Sequence, residues 1–393
     1  MKLFTSNPIA REMQKDRVFG LDILRAIAIF YVLIGHAAIP TPMKVQIIHG
    51  YFIWIDAVTL FFVLSGFLIG RILIKTIEKE GLNIRSLLKF WSRRWLRTLP
   101  AYFTVLLLLA VLYDKFWDNK HQLLEYALFV QNFHKPQPSW FVESWSLSVE
   151  EWFYLLTPVV LIVFLRVFKA DTRKTILTTC LAVIIAFPLY RLYKYCQAPS
   201  IGLSAYDLLF RTQVTTRLDS IMYGVLGAYG YHYHRPQWKQ HKNKLAIIGL
   251  FIILATRLYD YMLITREALY SSVFSFSLAS FGVLLVLPYF ENIKKRSGKL
   301  AAPITFLSII SYSAYLLNFS FVGAWLLPHL GFSAAKSQVL RYILFIALSI
   351  ISAALLYLLI EYPFLQLRNK MVKDTAPANE KDIKKEADYS VSL

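Results

Sequence analysis

The chain has 393 residues, of which 57% are hydrophobic and 17% charged, with a formal net charge of +19 and a mean hydropathy of +0.48. That apolar balance excludes an ordinary water-soluble domain, and two cysteines, Cys180 and Cys196, are too few for a disulfide framework. The positive charge recurs along the chain between apolar runs, which argues against a nucleic-acid partner.

The composition and the repeated apolar runs predict an all-α polytopic membrane protein with about ten transmembrane helices. The runs lie near 22–39, 52–74, 98–116, 147–168, 175–196, 218–233, 245–264, 270–290, 304–327 and 339–361, the sixth being short. With the first end taken as inside, the inner connections carry 30 Lys and Arg and the outer ones 12. Positive residues are retained on the cytoplasmic side, so both the N and the C terminus are expected there. The expected division is one integral-membrane domain over 1–370 and a disordered, charged cytoplasmic tail over 371–393.

The first span, LDILRAIAIFYVLIGHA, carries Arg25 near its start and His36 near its end. Eleven residues rotate a helix through about three turns plus 20°, so the two side chains share one face, about 16 Å apart along the axis. An ionisable group inside a bilayer costs roughly 2.5–3.5 kcal/mol on insertion scales unless it meets a cavity or partner. A snorkelling anchor at Arg25 and a packing histidine at His36 are the plain alternatives. The functional reading is one elongated ligand, its anionic part at Arg25 and its reacting end at His36, a side chain suited to general-base work.

The second span contains FFVLSGFLIG, whose Gly66 and Gly70 suit close helix packing. Residues 75–97 mix aromatic, aliphatic and basic residues as a helix on the inner membrane surface does. Within them RRWLR sets Arg93, Arg94 and Arg97 on a cationic face suited to phosphate oxygens, with Pro100 expected near the start of the third span. Positive-inside topology alone explains the cluster equally well. Segment 117–146 includes HQLLEYALFVQNF, a stretch expected to dip into the outer half of the membrane.

SWSLSVEEWFYLLTP, 144–158, brings Glu150 and Glu151 to the outer edge of a span, about 100° apart on the helix. One of them facing inward could orient His36 or contact a hydroxyl acceptor; a structural ion pair is the alternative. TTRLDSIMYG, 215–224, adds Arg217 and Asp219, for which a structural salt bridge outweighs catalysis. Trp140, Trp145 and Tyr206 could stack on sugar rings, although an interfacial aromatic belt is the stronger explanation.

Seven segments in order resemble the integral-membrane acyltransferase 3 family: the Arg25 to His36 pair, FFVLSGFLI, WSRRWLRTLP, SWSLSVEEWFYLL, TRLDSIMYG, ISYSAYLL and IEYPF at 360–364. The resemblance runs from about residue 20 to 368. It implies a membrane O-acyltransferase in a bacterial cytoplasmic membrane, taking an acyl group, usually acetyl, from cytoplasmic acetyl-CoA. The group passes to a hydroxyl of a carbohydrate or lipid-linked saccharide across the membrane. Carried onto this chain, His36 activates the hydroxyl or relays the acyl group. Arg25 with Arg93, Arg94 and Arg97 holds the donor phosphates, Glu150 is the essential carboxylate, and Glu151, Arg217 and Asp219 support it. No metal and no permanently bound cofactor are expected.

Two positions depart from the family pattern. Ala57-Val58-Thr59 stands where Gly-Val-Asp is common, so any role of that aspartate is absent or passes to Asp56. Asn318 stands where the late motif commonly has histidine. No exported hydrolase-like domain is expected after the last span, which leaves the acceptor less defined. The rival function is a transporter of an anionic small molecule, which needs buried charge too but prefers broken helices and internal repeats.

Overall fold

A computed structural model describes residues 8–15, 17–37, 56–81, 83–113, 120–168, 171–197, 207–263, 269–294, 298–332 and 338–374, and among them there is no strand. Of the tail expected over 371–393, residues 371–374 end a helix and the rest lie outside the described residues, as do Tyr206 and the outer connection at 40–51.

In chain order the main helices are α1 (Pro8–Met13), α2 (Phe19–Ala37), α3 (Ala57–Glu80), α4 (Ile84–Leu112), α5 (Lys120–Ala127), α6 (Ser144–Phe168) and α7 (Thr172–Gln197). There follow α8 (Leu218–Tyr233), α9 (Lys242–Leu263), α10 (Ser275–Glu291), α11 (Ala301–Leu317), α12 (Gln338–Leu356) and α13 (Tyr362–Asp374). Three wide π-helical segments adjoin them: Tyr270–Phe274 before α10, Asn318–Leu326 after α11, and Tyr357–Glu361 between α12 and α13.

Within the described residues each predicted apolar run falls in helical segments, and among those residues eight helical stretches are long and apolar enough to cross a membrane. The other two are α8, only 16 residues long, and α9, which carries Lys242, Lys244, Arg257 and Asp260. The helices, their length and their apolarity make the protein a multi-pass integral membrane protein.

Two expectations are corrected. Segment 75–97 is no separate surface helix: α3 continues to Glu80, and a new helix starts at Ile84 and runs unbroken to Leu112. Asn83 and Ser86 exchange side-chain to backbone hydrogen bonds at that start, each satisfying an amide that has no helical partner. Pro100 therefore sits inside α4 rather than at its beginning. Its ring nitrogen has no hydrogen to give the Leu96 carbonyl.

Close contacts divide the chain into two compact units, both discontinuous in sequence. One comprises 1–53, 90–120 and 290–393, and the other 54–89 and 121–289. In the first unit α2 packs against α11 and α12. The buried face of α2 is Leu21, Leu24, Ala28, Ile29, Val32 and Leu33, while Phe30 on the opposite face is 52% exposed. In the second unit α3 and α8 share the most extensive contact. A Cβ at Gly66 would stand 1.9 Å from the Ile221 carbonyl oxygen, and one at Gly224 would stand 2.0 Å from that of Val63. Only hydrogen fits at both positions, which accounts for the glycines of FFVLSGFLIG in terms of packing.

Candidate functional site

Arg25 is buried in α2, and among the described residues its guanidinium has no hydrogen-bond partner. The charges nearest to it are those of Arg97, Arg17, Asp22 and Arg94. The single carboxylate among them is already engaged. Arg17 donates from Nε to Asp22 Oδ2 at 2.9 Å and from Nη2 to Oδ1 at 2.6 Å, and Ser308 Oγ donates to Oδ1 at 2.7 Å. Burial works against the charge of Arg17, but the hydrogen bonds and charge of Asp22 outweigh it and hold the guanidinium above its ordinary pKa. What remains is a buried arginine facing two others across α2 and α4.

The sequence reading grouped Arg25 with the RRWLR cluster, and the structure brings Arg25 near Arg94 and Arg97. It also adds two residues that the reading missed. Arg368 on α13, 7% exposed, lies among Arg97, Glu12, Arg93 and Arg94. Glu361, at the end of the last π segment, accepts from Ser313 Oγ at 2.9 Å and feels Arg97 and Arg368. A carboxylate at the end of an apolar span is a usable signal for Glu361; Arg368, in a basic stretch after the last span, carries none beyond its charge.

Further along the same face of α2, His36 Nδ1 is hydrogen bonded to Asn318 Oδ1. Phe319 meets the imidazole edge-on, with centroids 5.0 Å apart and planes at 63°. Both partners begin the π segment after α11. Tyr113 Oη, just past α4, donates to the Ser320 carbonyl at 2.8 Å and pins that segment. All of these residues belong to the first unit.

The second unit holds the remaining predicted residues. Glu150, half-buried, accepts from Tyr154 Oη at 2.6 Å, and Tyr154 Oη is itself hydrogen bonded to Ser65 Oγ. Ser65 is thus tied to a carboxylate through a phenol one helical turn beyond Glu150. Glu151 is half-buried on the same helix. Two serines of SWSLSVEEW are structural: Gln131 Nε2 donates to Ser144 and Ser148 at 3.2 and 2.7 Å.

Arg217 and Asp219 do not pair with each other. Arg191 on α7 donates from Nη1 to Asp219 Oδ1 and from Nη2 to Oδ2, both at 2.9 Å, with both side chains fully buried. Arg217 donates to Thr59 Oγ1 at 2.9 Å, lies 3.8 Å from Asp56, and rests over the Phe276 ring at 4.0 Å. Thr59, where the family pattern has aspartate, therefore takes the arginine contact. Asp56 caps α3, accepting from the Val58 and Thr59 amides at 3.2 and 3.3 Å. Burial pushes its carboxyl up, but Arg217, Arg211 and the Thr59 hydroxyl together hold it below the ordinary carboxylate range. Trp145, 5% exposed and packed edge-on against Phe62 at 5.9 Å, is core rather than a stacking platform.

These features define a class: a polytopic helical membrane protein with a cluster of arginines around a buried arginine and a half-buried, hydrogen-bonded histidine on the same span. A family model described as an acyltransferase domain matches residues 18–358, and the chain belongs to that family, acyltransferase 3. It is 27% identical over 373 residues to a Staphylococcus aureus protein provisionally named an O-acetyltransferase, a match covering 88% of this chain and 57% of the relative. It is 33% identical over 165 residues to the peptidoglycan O-acetyltransferase OatA of Listeria monocytogenes, covering 37% of this chain and 24% of that protein. To YrhL of Bacillus subtilis, provisionally named a peptidoglycan O-acetyltransferase, it is 30% identical over 200 residues, covering 46% of this chain and 29% of YrhL. The chain thus spans less than two thirds of the length of these curated relatives. No solved structure matches.

Proposed function

We propose that the protein is a membrane O-acetyltransferase that moves an acetyl group from cytoplasmic acetyl-CoA to a carbohydrate hydroxyl at the outer side of the membrane. The observation that carries this is Arg25, buried without a hydrogen-bond partner among the described residues, near Arg97 and Arg94 and on the same helix as His36. A site with surplus guanidinium groups suits a polyanion, and the donor's phosphates supply one. Both termini are cytoplasmic in this reading, which sets the arginine end of α2 inside and His36 deeper. The names of OatA and YrhL suggest peptidoglycan as the acceptor, a polymer rich in sugar hydroxyls.

In the proposed reaction the acceptor hydroxyl oxygen attacks the thioester carbonyl carbon while His36 takes the hydroxyl proton. The carbon to sulfur bond breaks, the thiolate leaves and is protonated, and the ester remains. A route through acetyl-histidine uses the same residues in two steps. Arg25, Arg93, Arg94 and Arg97 hold the phosphates, and Glu150 serves the acceptor.

The test is acetyl-CoA binding and free-thiol release by the purified protein in lipid, with a muropeptide or chito-oligosaccharide as acceptor. His36→Ala is expected to keep donor binding and to lose turnover by about a hundredfold or more. Arg25→Gln is expected to weaken donor binding. Absence of donor binding by the unaltered protein overturns the acetyl-CoA reading and brings the anion transporter forward.

A further inference from the structure

We propose that Asn318 is a positioning residue that fixes which nitrogen of His36 does the chemistry, holding the imidazole as the Nδ1–H tautomer with its lone pair on Nε2. The proposal rests on the reading of His36 as the base.

The argument starts from the amide rather than the ring. Asn318 Nδ2 donates to the Ala314 carbonyl at 2.9 Å and to the Tyr315 carbonyl at 2.8 Å. An amide nitrogen carries two hydrogens, and both are used on its own helix. That fixes the orientation of the group: the end toward His36 is Oδ1, an acceptor only. An acceptor facing Nδ1 requires a hydrogen on Nδ1, and a neutral imidazole protonated there has its basic lone pair on Nε2. Asn318 is itself fully buried, so no water competes for its oxygen.

The surroundings keep this arrangement in place. Asn318 begins the π segment Asn318–Leu326, an irregularity frequent at functional sites. Phe319, next in the chain, closes on the imidazole edge-on, and the Tyr113 hydroxyl holds the Ser320 carbonyl at 2.8 Å. A neutral acceptor orients the ring without adding a second charge within the membrane, where an isolated charge is costly.

In the reaction Nε2 takes the hydroxyl proton as the oxygen bonds to the thioester carbon, and the same proton then passes to the departing thiolate. The Nδ1 hydrogen stays on the ring, donated to the Asn318 oxygen throughout, so the ring need not turn between the two transfers.

The experiment is ¹⁵N spectroscopy of the full-length protein labelled at histidine, in lipid nanodiscs, with His36→Gln assigning one signal among the eight histidines. The expected result is a His36 ring protonated at Nδ1 and unprotonated at Nε2 when neutral. Asn318→Leu is expected to shift that signal toward the Nε2–H form and to lower kcat about a hundredfold. The KM for acetyl-CoA should change by less than about threefold. Asn318→Asp, which retains an acceptor oxygen, is expected to retain the Nδ1–H form and to keep more turnover than Asn318→Leu. A neutral His36 found as the Nε2–H form in the unaltered protein overturns the proposal, as does an unchanged tautomer in Asn318→Leu. Because the tautomer is read without turnover, the proposed Nδ1–H form together with no thiol release would refute acetyl transfer and leave the Asn318 assignment standing.

Discussion

The fully buried pair of Arg191 and Asp219 allows a prediction with a magnitude. Arg191 makes five hydrogen bonds: two to Asp219 at 2.9 Å, and one each to the Thr216 carbonyl at 2.6 Å, the Val273 carbonyl at 3.0 Å and Ser277 Oγ at 2.7 Å. Asp219 also accepts from Ser277 at 2.8 Å. Asp219→Ala leaves a guanidinium at 0% exposure without its counter-charge. Removing one partner of such a pair costs about 3–5 kcal/mol. For a folding unit of 150–250 residues that corresponds to a drop in melting temperature of roughly 6–20 °C.

The chain supplies its own reporter. Cys180 is buried on α7, the helix that carries Arg191, whereas Cys196 is exposed. In a Cys196→Ser background, a thiol-reactive dye would report unfolding of that helix through Cys180 alone. Because membrane proteins commonly unfold irreversibly, all variants are compared at one scan rate. Arg191→Met and Asp219→Leu are each expected to fall by a similar amount, and the double variant to melt no lower than the worse single variant. Residues in one ion-pair network couple in this way. A drop of less than about 2 °C in Asp219→Ala, or additive losses in the double variant, would refute the view that this pair holds α7 to α8.

Two further expectations follow from the same unit. Gly224→Ala forces a Cβ to 2.0 Å from the Val63 carbonyl and should abolish the monodisperse peak in size-exclusion chromatography. Gly230→Ala, whose Cβ would meet Trp238 at 3.4 Å, should retain that peak. Asp56 has a depressed pKa in the folded protein, so its ion pairing stabilises above the unfolded value of about 3.9 and is lost as pH falls through the lower, folded value. Melting temperature should therefore decline with acid below about pH 4, and Asp56→Asn should flatten that part of the profile while lowering stability near neutral pH.

The contrast between Arg25 and Asp219 shows what a sequence of this kind discloses. The eleven residues from Arg25 to His36 put both on one helical face, and periodicity alone was enough, because a helix fixes angle by residue count. The apolar runs likewise marked the helices, since every backbone group in a bilayer must find its partner within the segment. The partner of Asp219 had no such rule. Arg217, two residues away, was the nearest cation in sequence, but residues two apart on a helix point away from each other. The carboxylate reached Arg191 on another helix instead.

Asn318 is the sharper case. It lies 282 residues from His36, and in sequence it was visible only as a departure from a familiar histidine. Amphipathic pattern says which face of a helix turns inward, and nothing in it says which helix stands opposite. The same limit hid Arg368 and Glu361, whose placement beside Arg97 depends on where α13 meets α4. Inside a membrane protein the apolar pattern therefore supplies the spans, and the few polar side chains that find one another across them supply the specificity of the pairing. Those side chains are the places where a substitution tests function and fold together.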